Sequence, residues 1–353
     1  MELDLYPLKF EPLYQPKVWG GRRIESLGRS LPGDASAQIG ESWELVDLNA
    51  TNTTNASHAP ARSIIRNGPL AGKSLHDAMQ LFGERLLGKV STNCTGQFPL
   101  MIKFLDAREN LSVQVHPSAS YAAAHPDAHL KSEAWYIIEA APGASIFKGL
   151  KKGVSPEKLR AAVEARDEAA LIDMLVRVPV KAGDCHYIPS GTLHALGEGI
   201  MVAEVQTTSD TTFRLYDWKR SRMTPAEQEY HVDQAMQCIS YHSEPVNSYE
   251  KRSHVAGFFT TVSSLVLCEH FRIEKVRMTE GYEQEIPYDQ PAIWIVLQGE
   301  GKITPRKGAE PVTFKRGETV LVPAHMNDGR VSLSKDTVWL EVTFPKAMPP
   351  KLD

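Results

Sequence analysis

Apolar residues along this chain recur mainly at every second position or in short runs, and only three stretches keep a helical spacing. Up to about residue 60, Tyr6–Leu8, Lys17–Gly21 and Gly40–Val46 read as short strands joined by turns. Ser74-Leu75-His76-Asp77 then resembles a capping box, and Met79, Leu81, Leu86 and Leu87 carry an apolar helical face through to Gly88. Strands follow at Leu100–Leu105, Leu111–His116 and Ala134–Ile138. Ser155 with Pro156 behind it opens a second helical stretch, continued by Leu159, Val163, Leu171 and Leu175. Val178–Lys181, Tyr187–Ile188, Met201–Gln206 and Thr212–Trp218 are strands again, and Pro225–Cys238 is a short helix. The last hundred residues read as β throughout, at Phe271–Met278, Ala292–Leu297, Thr319–Val322 and Val338–Phe344. Many short strands separated by turn signals predict a mainly β protein of sandwich or barrel type. Helices do not alternate regularly with strands, which argues against a doubly wound parallel sheet.

A chain of 353 residues has room for two or three packed modules. Net charge is -4 with no long run of one sign, so no broad nucleic-acid surface is expected. A phosphorylated ligand would need a local cationic pocket instead. No apolar stretch approaches the roughly 20 residues needed to cross a bilayer, and Met1-Glu2-Leu3-Asp4 lacks the basic start of a secretion signal. Cys94, Cys185, Cys238 and Cys268 are scattered, which suits reduced thiols in a cytoplasmic protein. On that reading the glycosylation-type triplets at Asn52, Asn55 and Asn93 are chance matches.

The most informative stretch is Gly183-Asp-Cys-His-Tyr-Ile-Pro189-Ser-Gly191-Thr-Leu-His194. Its glycines and proline bend the chain around a short apolar strand and aim His194 inward. Upstream, strand alternation puts Ser112, Gln114 and His116 on one face and Val113 and Val115 on the other. Lys131 and Glu133 share a face in the same way. These residues propose a metal set of Gln114, His116, Glu133 and His194, whose mixed nitrogen and oxygen donors suit a catalytic site with open positions. Two competing readings stand beside it: Gln114 as a hydrogen-bond partner of a ligand, and Glu133 as one half of a buried ion pair with Lys131.

The stretch ending at His194 is similar to the second motif of the cupin superfamily, G-x5-P-x-G-x2-H, although Glu198 stands where that motif often closes on Asn. More narrowly, the chain resembles type I phosphomannose isomerases. The likeness is densest at Gly40–Asp47, Met101–Pro117, Lys131–Ile138 and Lys181–Arg220, and Gln114-x-His116 in place of H-x-H is that family's own pattern. The resemblance implies cupin jelly-roll β-barrels with a helical insert: a catalytic domain over 1–245 and a second, degenerate one over 246–353. In the latter, Gly317–His325 echoes the motif but His325 falls only two residues after Pro323, which makes it a loop residue. The resemblance further implies one Zn2+ per chain, interconversion of mannose 6-phosphate and fructose 6-phosphate through an enediol, a small sugar phosphate as partner, neither nucleic acid nor membrane, and a monomer or homodimer.

It also implies site roles. Arg214 occupies the position of the family's active-site arginine, where it could hold phosphate or stabilise an enediolate. Ser112, Lys131, Glu41 and Trp19 match substrate-pocket segments, with Lys131 also catalytic. The general base stays open among Lys131, Glu41 and a metal-bound water, and Glu41 has a competing reading as a turn cap. Trp19 and Trp43 fit a sugar pocket or the core equally. Rival functions are a metal cupin of another reaction class, such as a dioxygenase, and a sugar-phosphate-binding cupin without turnover.

Overall fold

The computed structural model describes residues 4–49, 60–93, 95–220, 230–241, 254–256, 259–326 and 328–345. It is mainly β, built from antiparallel sheets. Two of them hold the site. A six-stranded sheet runs in the spatial order Cys185–Ile188, Glu133–Ala140, Ile200–Thr207, Leu100–Ala107, Leu13–Gly21 and Ile39–Leu45. A five-stranded sheet runs Leu175–Pro179, Ser145–Leu150, His194–Ala195, Val113–Val115 and Phe213–Tyr216. The long strands are apolar on both faces because both are covered: Leu100–Ala107 is buried at every position. Charged residues are also buried within this sheet, Lys103 and Glu204 among them.

The helical stretches fall where the spacing places them, with shifted ends. Ser74 caps the helix Leu75–Phe82: its hydroxyl accepts from the Asp77 N–H, and the Asp77 carboxylate accepts from the Ser74 N–H. The apolar face does not continue unbroken to Gly88, because Gly83 takes φ 49° and starts a separate turn, Glu84–Leu87. Ser155 caps Pro156–Glu164, and Asp167 caps Glu168–Met174. These two helices and Val232–Cys238 cover the outer face of the five-stranded sheet, around Val113, Val115, Leu159, Leu171, Phe213 and Leu215. Residues 225–229 of the third expected helix lie outside the described residues.

The C-terminal stretch forms a seven-stranded and a four-stranded sheet around Trp294, Trp339 and Phe314, with the two indoles stacked at 4.7 Å. His325 is exposed in the turn after Val322, as its displaced spacing suggested. The seven-stranded sheet is completed by the start of the chain: Leu8 pairs with Leu321 and Lys9 with Val320. One apolar cluster accordingly runs from Leu8 and Ile24 through Phe98 and Phe104 to Leu321 and Val342. Gly317 lets the two parts approach, since it has φ 82° and a Cβ there would lie 2.3 Å from the Leu27 carbonyl oxygen.

Candidate active site

Sheet register aligns the site. On the five-stranded sheet, Gln114 lies opposite His194 on one side and opposite Arg214 on the other, so the three side chains form a row. On the six-stranded sheet a second row runs Trp43, Lys103, Glu204 and Trp135, with Glu133 two residues beyond Trp135 on the same face. Gly191, at φ 84°, turns the chain towards His194 and donates its N–H to the His116 carbonyl at 3.2 Å, which ties the two histidine segments together.

His116, Glu133 and His194 converge: their ligand atoms lie within 4.8 Å of one another and all three residues are buried. Nε2 of His116 is 3.2 Å from Glu133 Oε2, and Nε2 of His194 is 3.2 Å from Glu133 Oε1. The outer nitrogens are fixed by backbone. His116 Nδ1 lies 3.1 Å from the Thr211 carbonyl and His194 Nδ1 2.8 Å from the Thr192 carbonyl, so each Nδ1 carries the proton and each Nε2 lone pair points inward. Burial, reinforced by the Lys131 charge, pushes the His116 pKa down to about 3, and the ring is neutral. Burial alone would raise the pKa of Glu133, but Lys131 and His116 hold it well below the usual carboxylate range. His116 Nε2 and Glu133 Oε1 have no hydrogen-bond partner among the described residues, while Glu133 Oε2 faces the Lys131 ammonium at 3.0 Å. Such buried orphans are costly unless something binds them. A divalent cation fits: the inward nitrogens of two imidazoles and a carboxylate meet at one point.

Gln114 stands at the edge of this group, with its amide nitrogen 3.4 Å from His194 Nε2 and its oxygen accepting from Ser112 Oγ at 2.9 Å. That contact matches a hydrogen bond to a ligand, while a half-turn of the amide presents the oxygen to the same point. Glu133 also faces Lys131 at 3.0 Å, so the ion pair and the metal-facing geometry coexist.

Beside the cluster lies a cavity of about 150 Å³. Lys17, Lys103, Lys131 and Arg214 line it, with Glu41, Glu204, Asp210 and Asp217. Opposite charges match in number. A divalent ion beside Glu133 therefore leaves the region net positive, which suits a phosphorylated ligand. Arg214 is half-buried and makes no salt bridge among the described residues, unlike a surface arginine held in an ion pair. Trp19 lines the cavity and packs in the core at once, whereas Trp43 belongs to a small apolar cluster with Lys103 Nζ 5.0 Å from its ring centre. Glu41 caps no turn. It sits within the strand Ile39–Leu45, accepts from Trp43 Nε1 at 2.7 Å, and pairs with Lys17 at 3.3 Å and Lys103 at 3.4 Å. Despite the opposing effect of burial, those lysines hold its pKa far below the ordinary value.

Lys103 and Glu204 are among the cavity residues that escape the sequence reading. Lys103 lies between Glu41, Asp210 and Glu204; burial opposes its charge, but the carboxylates raise its pKa above the ordinary value. Glu204 accepts from Trp135 Nε1 at 2.9 Å, and its pKa is raised by burial and by the charge on Glu133. Their signal is present in the sequence: a lysine and a glutamate inside otherwise apolar strands.

Residues 7–141 match the model of the phosphomannose isomerase type I catalytic domain. Among curated relatives, mannose-6-phosphate isomerase ManA of Bacillus subtilis is 32% identical over 90% of this chain and 93% of its own. Mannose-6-phosphate isomerase of Streptococcus mutans is 34% identical over 90% of this chain and 92% of its own. The chain belongs to the type I phosphomannose isomerase family. The crystal structure of the Bacillus subtilis mannose 6-phosphate isomerase superposes with a TM-score of 0.80 at 29% identity, covering 95% of this chain and 98% of that one. A putative mannosephosphate isomerase from Archaeoglobus fulgidus shares the fold with a TM-score of 0.70 at 21% identity. The sheets described above are thus the cupin fold of the phosphomannose isomerase family, and the expected mainly β, cupin class holds.

Proposed function

We propose that this chain interconverts mannose 6-phosphate and fructose 6-phosphate, as the names of its relatives indicate for those proteins. The observation that carries the reading is the meeting of two imidazoles and a carboxylate beside a cavity lined by four cationic side chains. His116, Glu133 and His194, with Gln114 after rotation of its amide, would hold one zinc ion per chain, a metal suited to this donor set. When bound, such an ion supplies Lewis-acid polarisation to the two oxygens on C1 and C2.

This chain's own residues do the rest. In the aldose-to-ketose direction the C2 proton leaves to a base and the C1–C2 double bond forms as charge moves onto the C1 oxygen; the O2 proton then passes to O1, the carbonyl forms at C2, and the base returns its proton to C1. Of the cavity carboxylates, Glu204 has the environment of a base, because burial and the neighbouring Glu133 raise its pKa. Glu41 has the opposite environment and serves to hold Lys17 and Lys103. Lys131 and Arg214 supply cations for the phosphate or the enediolate, while Ser112 orients Gln114 and Trp19 closes one wall. The division into a catalytic part, 1–245, and a supporting part, 246–353, is proposed with Leu8–Lys9 crossing between them. Among the described residues no helix is long and apolar enough to cross a membrane. Cys238 and Cys268 are free thiols, which supports a cytoplasmic location.

A coupled assay with mannose 6-phosphate tests the reading. Turnover should vanish after prolonged chelation and return with zinc. Undiminished turnover by protein proven metal-free, or none by metal-loaded protein, would reject it.

A further inference from the structure

The strand Phe213–Tyr216 carries a break in register: Arg214 pairs with Gln114, but Tyr216 already pairs with Val113. Strict alternation would send Tyr216 into the cavity behind Arg214 and turn Asp217 away. The reverse is found. Phe213, Leu215 and Tyr216 all pack into the apolar cluster under the helices, and Asp217 lines the cavity with Arg214. An irregularity of this kind re-aims one side chain at the end of a strand.

The turn that follows is held under strain. Trp218 and Lys219 both adopt φ 52°, a left-handed conformation that bulky residues rarely take. Two anchors keep them there. Trp218 Nε1–H donates to the Leu111 carbonyl at 2.7 Å, and the Arg220 guanidinium donates to the Asn110 carbonyl. Arg220 also lies 2.6 Å from Asp217 Oδ1, with side-chain exposures of 6% and 5%. Asn110 and Leu111 lead directly into the strand bearing Gln114. The turn is therefore bolted to the segment that sets the metal-facing row.

A carboxylate at a cavity wall can only accept hydrogen bonds, and it repels phosphate. Its complement in a phosphorylated sugar is an alcohol O–H away from the phosphate and from the reacting C1 and C2. We propose that Asp217 recognises a C3 or C4 hydroxyl of the substrate and that Arg220 is a positioning residue for its carboxylate. This inference rests on the isomerase reading and adds a determinant of sugar specificity to it.

The test compares mannose 6-phosphate with its 3-deoxy and 4-deoxy analogues, using zinc-loaded wild type, Asp217→Ala, Asp217→Asn and Arg220→Met. Zinc content and thermal midpoint are recorded for each. For the wild type, one deoxy analogue should lose at least about tenfold in kcat/KM, since a site built to bind a hydroxyl is left unpaired without it. That penalty should shrink to within about twofold in Asp217→Ala and be partly kept in Asp217→Asn, whose amide oxygen still accepts. Arg220→Met should reduce the same penalty and raise KM more than it lowers kcat, a pattern that general loss of structure does not produce. If the alanine variant does not fold, the comparison stands on Asp217→Asn. Deoxy penalties identical in wild type and variants, or no penalty for either analogue, overturn the role of Asp217 while leaving the isomerase reading intact. Absence of wild-type turnover on the parent sugar overturns both.

Discussion

His116 and His194 owe their usefulness to two backbone carbonyls, Thr211 and Thr192, which fix the proton on the far nitrogen of each ring. His194→Ala removes an inward lone pair outright. Metal affinity should fall by more than the roughly 10–100-fold that loss of a supporting partner costs, and activity should fall with it. Zinc titration and kcat of the same sample check this; stoichiometric zinc with full activity would exclude His194 as a ligand. Glu204→Gln keeps the Trp135 contact but removes the base, so kcat should drop by about 10²–10⁴ with zinc content unchanged. A kcat within a few-fold of wild type would return the role to Lys131 or to water. The histidines and Glu133 were legible because a fixed spacing of Gly, Pro and His, and an alternating strand, each place side chains locally. Lys103 and Glu204 were legible in principle as charges inside apolar runs. Asp217 was not, because it reaches the cavity through a register break that alternation cannot foresee.

Elements form where local chemistry agrees with the fold. Ser74, Ser155 and Asp167 each accept from a backbone N–H at a helix start. Ser74→Ala removes the capping hydroxyl, and stability should fall by about 1 kcal/mol. Urea unfolding reads this as a lower midpoint at unchanged slope. A midpoint equal to wild type would show that backbone pairing of Ser74 with Ile64 suffices. Strand cores were readable from alternation and β-branched content, but their ends were less so. The strand at the chain start extends from Leu13 to Gly21, well before Lys17, because it pairs with Ile39–Leu45 across register shifts. Gly83 breaks an apolar face that continues past it, since one residue at φ 49° resets the helix axis.

The molecule as a whole is joined by a contact between its two ends. Glu318 pairs with Lys9 at 2.9 Å and with Arg66 at 2.5 Å, beside the pairing of Leu8–Lys9 with Val320 and Leu321. Burial would raise the Glu318 pKa, but these cations lower it overall. Its folded value thus lies below the unfolded value of about 4.3. Its stabilising contribution is complete above the unfolded pKa and is lost as pH falls through the folded one. Glu318→Gln should therefore melt below wild type at neutral pH, and the gap should close on acidification below the unfolded carboxylate pKa. A gap constant over that range would assign the effect to shape instead of charge. No periodicity in the sequence announces this junction, because strand pairing between distant segments depends on topology and not on neighbouring residues.

That junction also constrains how the protein is made. Leu8 leaves the ribosome long before Leu321, its hydrogen-bonding neighbour, at synthesis rates of about 5–20 residues per second. For some tens of seconds the nascent chain carries a strand that has met Arg66 and Asn67 but not its partner in the sheet. An interrupted translation product would keep it unsatisfied, and a mature copy stripped of it would offer the bare rim of its sheet to any other extended peptide.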